Sequence, residues 1–168
     1  HLNHLGSKLR PEWRSRLLAG QIQPKTRHWL KARMPAFTNQ ATDLAIGFSH
    51  VAGLPHTSPM FPPVEPEKIK TGAALTAITG FSCGACHAVN DKPAFAVFEG
   101  EGPNFKDAGS RLRREYFHLW MNAPMRLWPG TIMPSYAAEG TTPLTQHYEG
   151  NAKKQFEAIY QYLISLGR

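Results

Sequence analysis

Cys83-Gly84-Ala85-Cys86-His87 is the stretch of this 168-residue chain whose residue types and spacing point most directly to chemistry. Two thiols three positions apart lie on the same side of a helical turn. Both can therefore add to the two vinyl groups of one haem and close two thioether bonds. The adjacent imidazole is then carried beneath the porphyrin plane, where it can ligate iron. Gly84 and Ala85 are small enough to let the backbone lie against the porphyrin edge. A zinc ribbon would need two further ligands at similar spacing. The chain has no third Cys to supply them. A thioredoxin-type dithiol would need strands ahead of the Cys pair, and no alternating apolar run precedes it.

Haem iron in an electron carrier takes a second, soft axial donor that leaves no open position. Among Met34, Met60, Met121, Met125 and Met133, the last stands out by its context, Trp128-Pro129-Gly130-Thr131-Ile132-Met133-Pro134-Ser135-Tyr136. Pro129-Gly130 makes a tight turn, and Pro134 restricts Met133 to extended geometry, so the thioether is presented on a stiff loop. Met133 follows His87 by 46 residues, enough chain to pass the haem edge and approach iron from the opposite face. Met121 and Met125 read as core packing.

These groups must be held by a chain that is 42% hydrophobic and 18% charged, with 14 Gly and 14 Pro. That composition suits one domain or two small ones with a buried core, rather few elements and long turned loops. No window approaches 18 apolar residues, which excludes a transmembrane helix. The opening residues HLNHLGSKLR lack an initiator Met and the apolar stretch of a signal peptide, as expected of a processed product or a fragment. Residues 54–66, LPHTSPMFPPVEP, hold five prolines and read as a linker of polyproline geometry. Helices are expected over Glu67–Thr79, over Arg111–Asn122 with Ser110 as N-cap, and over Asn151–Leu166, whose Phe156, Ile159, Tyr160 and Leu163 share one face. The fold class is all-α.

Net charge is +7, of which residues 1–53 carry +6: Lys8, Arg10, Arg14, Arg16, Lys25, Arg27, Lys31 and Arg33 against Glu12 and Asp43. The basic residues alternate with Trp13, Leu17, Leu18, Trp29 and Leu30 at roughly helical spacing. This reads as the solvated face of an amphipathic helix rather than a nucleic-acid surface. An acidic protein partner drawn by long-range attraction is the next use of such charge.

With these motifs in place, residues 67–168 resemble the bacterial single-haem class I c-type cytochromes: a helix leading into Cys83–His87, a Gly102-Pro103 loop, a Pro-Gly-Thr-x-Met-Pro loop at 129–134 and an aromatic-bearing final helix. The resemblance implies a cytochrome c fold around one covalent haem c, with helices 67–79 and 151–166 crossing. It implies that the Pro103 carbonyl accepts the His87 Nδ1 proton, leaving Nε2 for iron opposite Met133, and that Trp128 and Tyr136 flank the haem, a role that overlaps with plain core filling. It also implies a periplasmic or otherwise extracytoplasmic location.

The chain repeats itself in part. Gly6-Ser7-Lys8-Leu9-Arg10-Pro11-Glu12-Trp13 matches Gly109-Ser110-Arg111-Leu112-Arg113-Arg114-Glu115-Tyr116, and Arg33-Met34-Pro35-Ala36-Phe37 matches Ile132-Met133-Pro134-Ser135-Tyr136. Residues 1–53 thus look like the back half of another cytochrome c unit that lacks its CxxCH, completed by an upstream domain or a separate chain. Met34 is then an orphan ligand expected in the core, with a lesser chance of reaching a haem on the chain that supplies the missing half.

Electron transfer to redox protein partners is the expected function, without a substrate site or nucleic-acid contact. If Met133 does not hold iron, a peroxidase-like enzyme or a gas or redox sensor is the alternative; tandem cytochrome units also occur in peroxidases of this superfamily. A relay module of a larger dehydrogenase is the third reading.

Overall fold

Proline opens three helices, at Pro11, Pro66 and Pro124, where a missing backbone N–H removes no helical hydrogen bond. The computed structural model describes residues 2, 4–32, 34–97 and 99–167. Among these it is helical, with α1 (Leu5–Lys8), α2 (Pro11–Leu18), α3 (Ala41–Val51), α4 (Pro66–Thr76), α5 (Ala108–Arg111), α6 (Arg114–Asn122), α7 (Pro124–Leu127) and α8 (Ala152–Leu166). The only β pairing among the described residues is isolated bridges. The all-α expectation holds. His1, the basic residue Arg33 that opens the Met34 match, and Arg168 lie outside the described residues.

The elements depart from the sequence expectations in two places. α4 ends at Thr76, earlier than Thr79, because Ala77 turns extended and the chain doubles back on the helix end. A Cβ at Gly80 would fall 2.3 Å from Leu75 O, so only glycine fits that return. The single helix expected over Arg111–Asn122 is two helices, and Ser110 lies inside α5 rather than capping a helix. Leu112 and Arg113 leave helical geometry to pair with the α1–α2 break: Arg10 N donates to Arg111 O at 2.9 Å and Arg113 N to Lys8 O at 3.0 Å. α8 is capped by Asn151, whose side chain accepts from Lys154 N at 3.0 Å, and buries Phe156, Ile159, Tyr160 and Leu163.

The chain forms two compact units. The first comprises His1–Pro62 with Ser110–Arg113, the second Pro63–Gly109 with Arg114–Arg168. In the first, α1 lies directly on α3; a Cβ at Gly6 would fall 1.9 Å from Phe48 O. Its apolar core is small, with Leu18, Ala41 and Ala45 packed by Ala19 and Phe48. Two arginines fill the rest.

Arg14 is fully buried, which corrects the expectation that the basic residues of this segment all lie on a solvated face. Its guanidinium donates to the carbonyls of Leu5, Gly6, Leu9 and Ala45 and to Ser49 Oγ. Arg113, also buried, donates to Gly6 O and Leu9 O through Nε and to Pro55 O at 2.7 Å through Nη2. Burial, together with the neighbouring Arg113 charge, pushes the Arg14 pKa down to about 10. The carbonyl array is what makes the buried cation tolerable, because both terminal nitrogens of the guanidinium find acceptors, although Nε has none. Trp29 and Leu30 fall outside any helix and are exposed, so the helical spacing read there is not used.

The proline-rich stretch is not a free linker through its first half. Ser58 donates to the Glu12 carboxylate from N at 2.9 Å and from Oγ at 2.7 Å, and Arg10 lies over the Phe61 ring at 4.0 Å. In the second unit α4 crosses α8 so closely that a Cβ at Gly72 would fall 2.3 Å from Ala158 O. α8 also packs on α6, and Gly109 sits against its Leu163 and Ile164 backbone. Leu75, Phe117, Phe156, Ile159, Tyr160 and Leu163 form the buried centre of this unit.

Candidate functional site

Cys83–Ala85 form one 3-10 turn, entered through Ser82 in the left-handed region at φ 53. The turn is closed by Cys86 N and His87 N, which both donate to Cys83 O, at 3.2 and 3.0 Å. It is laced to the following loop by Phe95 N donating to Gly84 O and Ala96 N donating to Ala85 O. Both thiols are free; Cys83 is buried and Cys86 half-buried. Burial pushes the Cys83 thiol up to about 12.

His87 is held on both sides. Its Nδ1 lies 2.8 Å from Pro103 O. A carbonyl only accepts, so Nδ1 carries the proton and donates it, which in a neutral imidazole makes Nε2 the unprotonated nitrogen. Gly102 N donates to Cys86 O at 2.7 Å and brings the Gly102-Pro103 strand alongside. A Cβ at Gly102 would fall 2.3 Å from the His87 ring, so glycine is required for the approach that lets Pro103 reach Nδ1. Phe105 packs on the same imidazole with ring centroids 4.8 Å apart.

The Met133 loop is stiff. Thr131 N donates to Trp128 O at 3.0 Å, closing the turn at Pro129-Gly130, and Met133 N donates to Thr131 Oγ1 at 3.2 Å. Ser135 Oγ donates to Asn122 O at 3.0 Å and so ties the loop to the end of α6. Tyr136 brings its far end to the Cys turn. Its ring packs on Phe81 at 4.8 Å, and its hydroxyl pKa is pushed up to about 12 by burial first, then by the Cys83 and Cys86 thiols nearby. Trp128 is 44% exposed, which rules out plain core filling for it.

The indole that reaches the thioether is a different one. Trp120 Nε1 donates to Met133 Sδ at 2.9 Å from α6. Sequence reading did not single out Trp120. Its one signal was the helical register of α6, which puts Trp120 one turn from Tyr116, with the two rings stacked at 6.2 Å.

The remaining methionines divide. Met121 is buried in the core as expected, whereas Met125 is exposed, because α7 is a single turn that presents Pro124 inward instead. Met34 is 43% exposed and lies outside any helix, which corrects the expectation that it lies in the core.

The candidate donors are two thiols and one imidazole on the Cys83–His87 turn and one thioether on the separate, braced Met133 loop. Among the described residues no three His, Cys, Asp or Glu side chains gather into a metal-holding group. That donor chemistry fits a haem, which takes its four equatorial ligands from the porphyrin and needs only two from the chain. No helix among the described residues is long and apolar enough to cross a membrane. The fold and site together define an all-α, loop-rich protein with a braced Cys-Cys-His turn. Comparison with protein-family models, with curated proteins and with solved structures finds no match.

Proposed function

We propose that this chain is an electron carrier resembling the class I c-type cytochromes, holding one haem c through Cys83 and Cys86 with His87 and Met133 as axial ligands. The observation that carries the reading is the His87 ring, whose Nδ1 donates to Pro103 O and which directly follows two free thiols in one turn. When bound, the haem supplies a one-electron iron couple.

The chain's own residues do the rest. Cys83 and Cys86 anchor two points of one porphyrin edge, and the Pro103 carbonyl keeps the imidazole in one tautomer and one orientation. Met133 is brought in on a loop tied at Thr131 and Ser135, so its thioether needs little reorganisation between oxidation states. Tyr136 and Phe81 cover the buried Cys83 side and exclude water from it. With His87 and Met133 both holding iron, the site would transfer electrons without turning over a substrate, which makes the chain a carrier rather than an enzyme on this reading. Attachment of haem c outside the cytoplasm makes the periplasm the expected location. Exposed Arg16, Arg27 and Lys31 suit an acidic redox partner.

The decisive measurement is the intact mass of the chain produced with a haem-attachment system and then extracted with acid–acetone. One haem mass should remain, and it should disappear in Cys83→Ser/Cys86→Ser. Recovery of bare polypeptide mass from the unaltered chain would overturn the reading.

A further inference from the structure

The partial repeat is interrupted at one place. Pro24-Lys25-Thr26 matches Pro129-Gly130-Thr131 and Arg33-Met34-Pro35 matches Ile132-Met133-Pro134, but ten positions separate Pro24 from Met34 where four separate Pro129 from Met133. The first copy therefore carries six residues without a counterpart in the second, Arg27-His28-Trp29-Leu30-Lys31-Ala32. The copy with the Cys-Cys-His turn does without them, so neither the haem reading nor the missing half of the first unit accounts for them.

The insertion forms a braced tip. Its loop is pinned at the neck, where Phe37 N donates to Leu18 O at 2.8 Å and a Cβ at Gly20 would fall 2.9 Å from Ala36 Cβ. Inside the loop the Lys25 ammonium donates to Leu30 O and, at 3.4 Å, to Ala32 O. Leu30 N closes a turn on Arg27 O at 3.2 Å, and His28 and Trp29 occupy that turn with their rings edge to face at 5.0 Å. All six residues are exposed, Trp29 at 37% and Leu30 at 45%. The tip thus holds an adjacent indole and isobutyl group in water between two cations, Arg27 and Lys31.

We infer that Arg27–Ala32 is an interfacial anchor that seats the first unit on an anionic lipid bilayer. Indole rings settle at the headgroup level, where the ring is apolar and the N–H stays wet. Leu30 beside it reaches the acyl boundary, and Arg27 and Lys31 meet lipid phosphates with their stems lying along the apolar layer. An irregular backbone cannot enter hydrocarbon, so the turn stays hydrated and the anchor is shallow. Charge favours the same surface. No Asp or Glu occurs from Trp13 to Thr42, so nothing near the tip in sequence repels an anionic layer. Arg27 and Lys31 by themselves would suit any acidic surface. Trp29 and Leu30 separate the cases, because a fluid acyl layer accepts two adjacent apolar side chains without a shaped pocket, whereas a protein face must supply one. The inference does not depend on the haem reading.

The test is co-sedimentation of the full chain with vesicles of phosphatidylcholine alone and of phosphatidylcholine mixed with phosphatidylglycerol. Binding is expected to the mixed vesicles only, and it should weaken as salt rises. Trp29→Ser/Leu30→Ser and Arg27→Gln/Lys31→Gln should each reduce it about tenfold or more, with thermal unfolding unchanged because all four side chains are exposed. Emission gives a second readout, since subtracting the spectrum of Trp29→Phe isolates Trp29 from the other three Trp. On binding, Trp29 should shift to the blue and be quenched by lipids brominated in the upper acyl chain. Failure to bind the mixed vesicles would overturn the inference. So would undiminished binding by Trp29→Ser/Leu30→Ser or an unshifted Trp29, either of which would leave charge alone at work and return the cations to an acidic protein partner.

Discussion

Trp120 Nε1 donates a hydrogen bond to Met133 Sδ at 2.9 Å. A thioether sulfur has two lone pairs, so one can hold this indole proton while the other faces a metal. The donor also draws electron density from sulfur and makes it a weaker base. In the haem-loaded protein Trp120→Phe should therefore lower the reduction potential, because a more electron-rich sulfur favours the oxidised iron. Losing the bond that orients the ligand should also let carbon monoxide compete for Met133's position about tenfold better. An unchanged potential and carbon monoxide affinity would show that the bond does not survive haem binding.

Met133 and Met34 occupy matching loops but should not share a role. Met133→Ala is expected to abolish the near-infrared iron–sulfur charge-transfer band and open the iron to carbon monoxide. Met34→Ala should leave both as they were, and the reverse pattern would move the axial assignment to the first unit.

Arg14 should be a stability determinant of the first unit. Replacing it with Met keeps most of the volume but strips the carbonyls of Leu5, Gly6, Leu9 and Ala45 of a shared donor. A loss of about 3 kcal/mol or more in urea unfolding is expected, since several charge-assisted hydrogen bonds in a buried site are lost together. Exposed Arg16→Met should change stability by less than about 0.5 kcal/mol.

Glu157 links the second unit to pH. Burial acts to raise its pKa, but hydrogen bonds from His118 Nε2 and Arg114 outweigh burial and hold it below the usual value of 4.5. A carboxyl with a lowered folded-state pKa contributes stability above its unfolded pKa and loses it as pH falls through the folded one. Thermal stability should thus decline as pH drops below about 4.3, and Glu157→Gln should flatten that part of the profile while lowering stability at pH 7. Parallel acid profiles for the two proteins would assign the decline to other groups.

Electron transfer to an acidic partner should slow as salt rises, since charges are screened over about 10 Å at 0.1 M. The triple replacement Arg16→Gln, Arg27→Gln, Lys31→Gln should reduce both the rate at low salt and its salt dependence. Identical salt dependence would mean that these side chains only solvate the first unit.

Residue types and short spacings were enough for whatever is local. Cys83, Cys86 and His87 lie within one turn of each other, Pro129, Gly130 and Pro134 brace their own loop, and α8 follows from the 3.6-residue spacing of Phe156, Ile159, Tyr160 and Leu163. The partial repeat was legible for the same reason, as a comparison of strings. What the tertiary structure alone decided involves partners far apart in the chain. Arg14 looks in sequence like its exposed neighbour Arg16, and only the carbonyls of α1 and α3 arriving around it make burial affordable. The helix expected through Leu112 and Arg113 breaks because Arg111 and Arg113 pair with Arg10 and Lys8, more than a hundred positions earlier. Trp128 is nearer to Met133 along the chain than Trp120, yet the indole at Sδ is Trp120, because α6 and the loop anchored to its end at Asn122 fix which side of the sulfur a donor can reach.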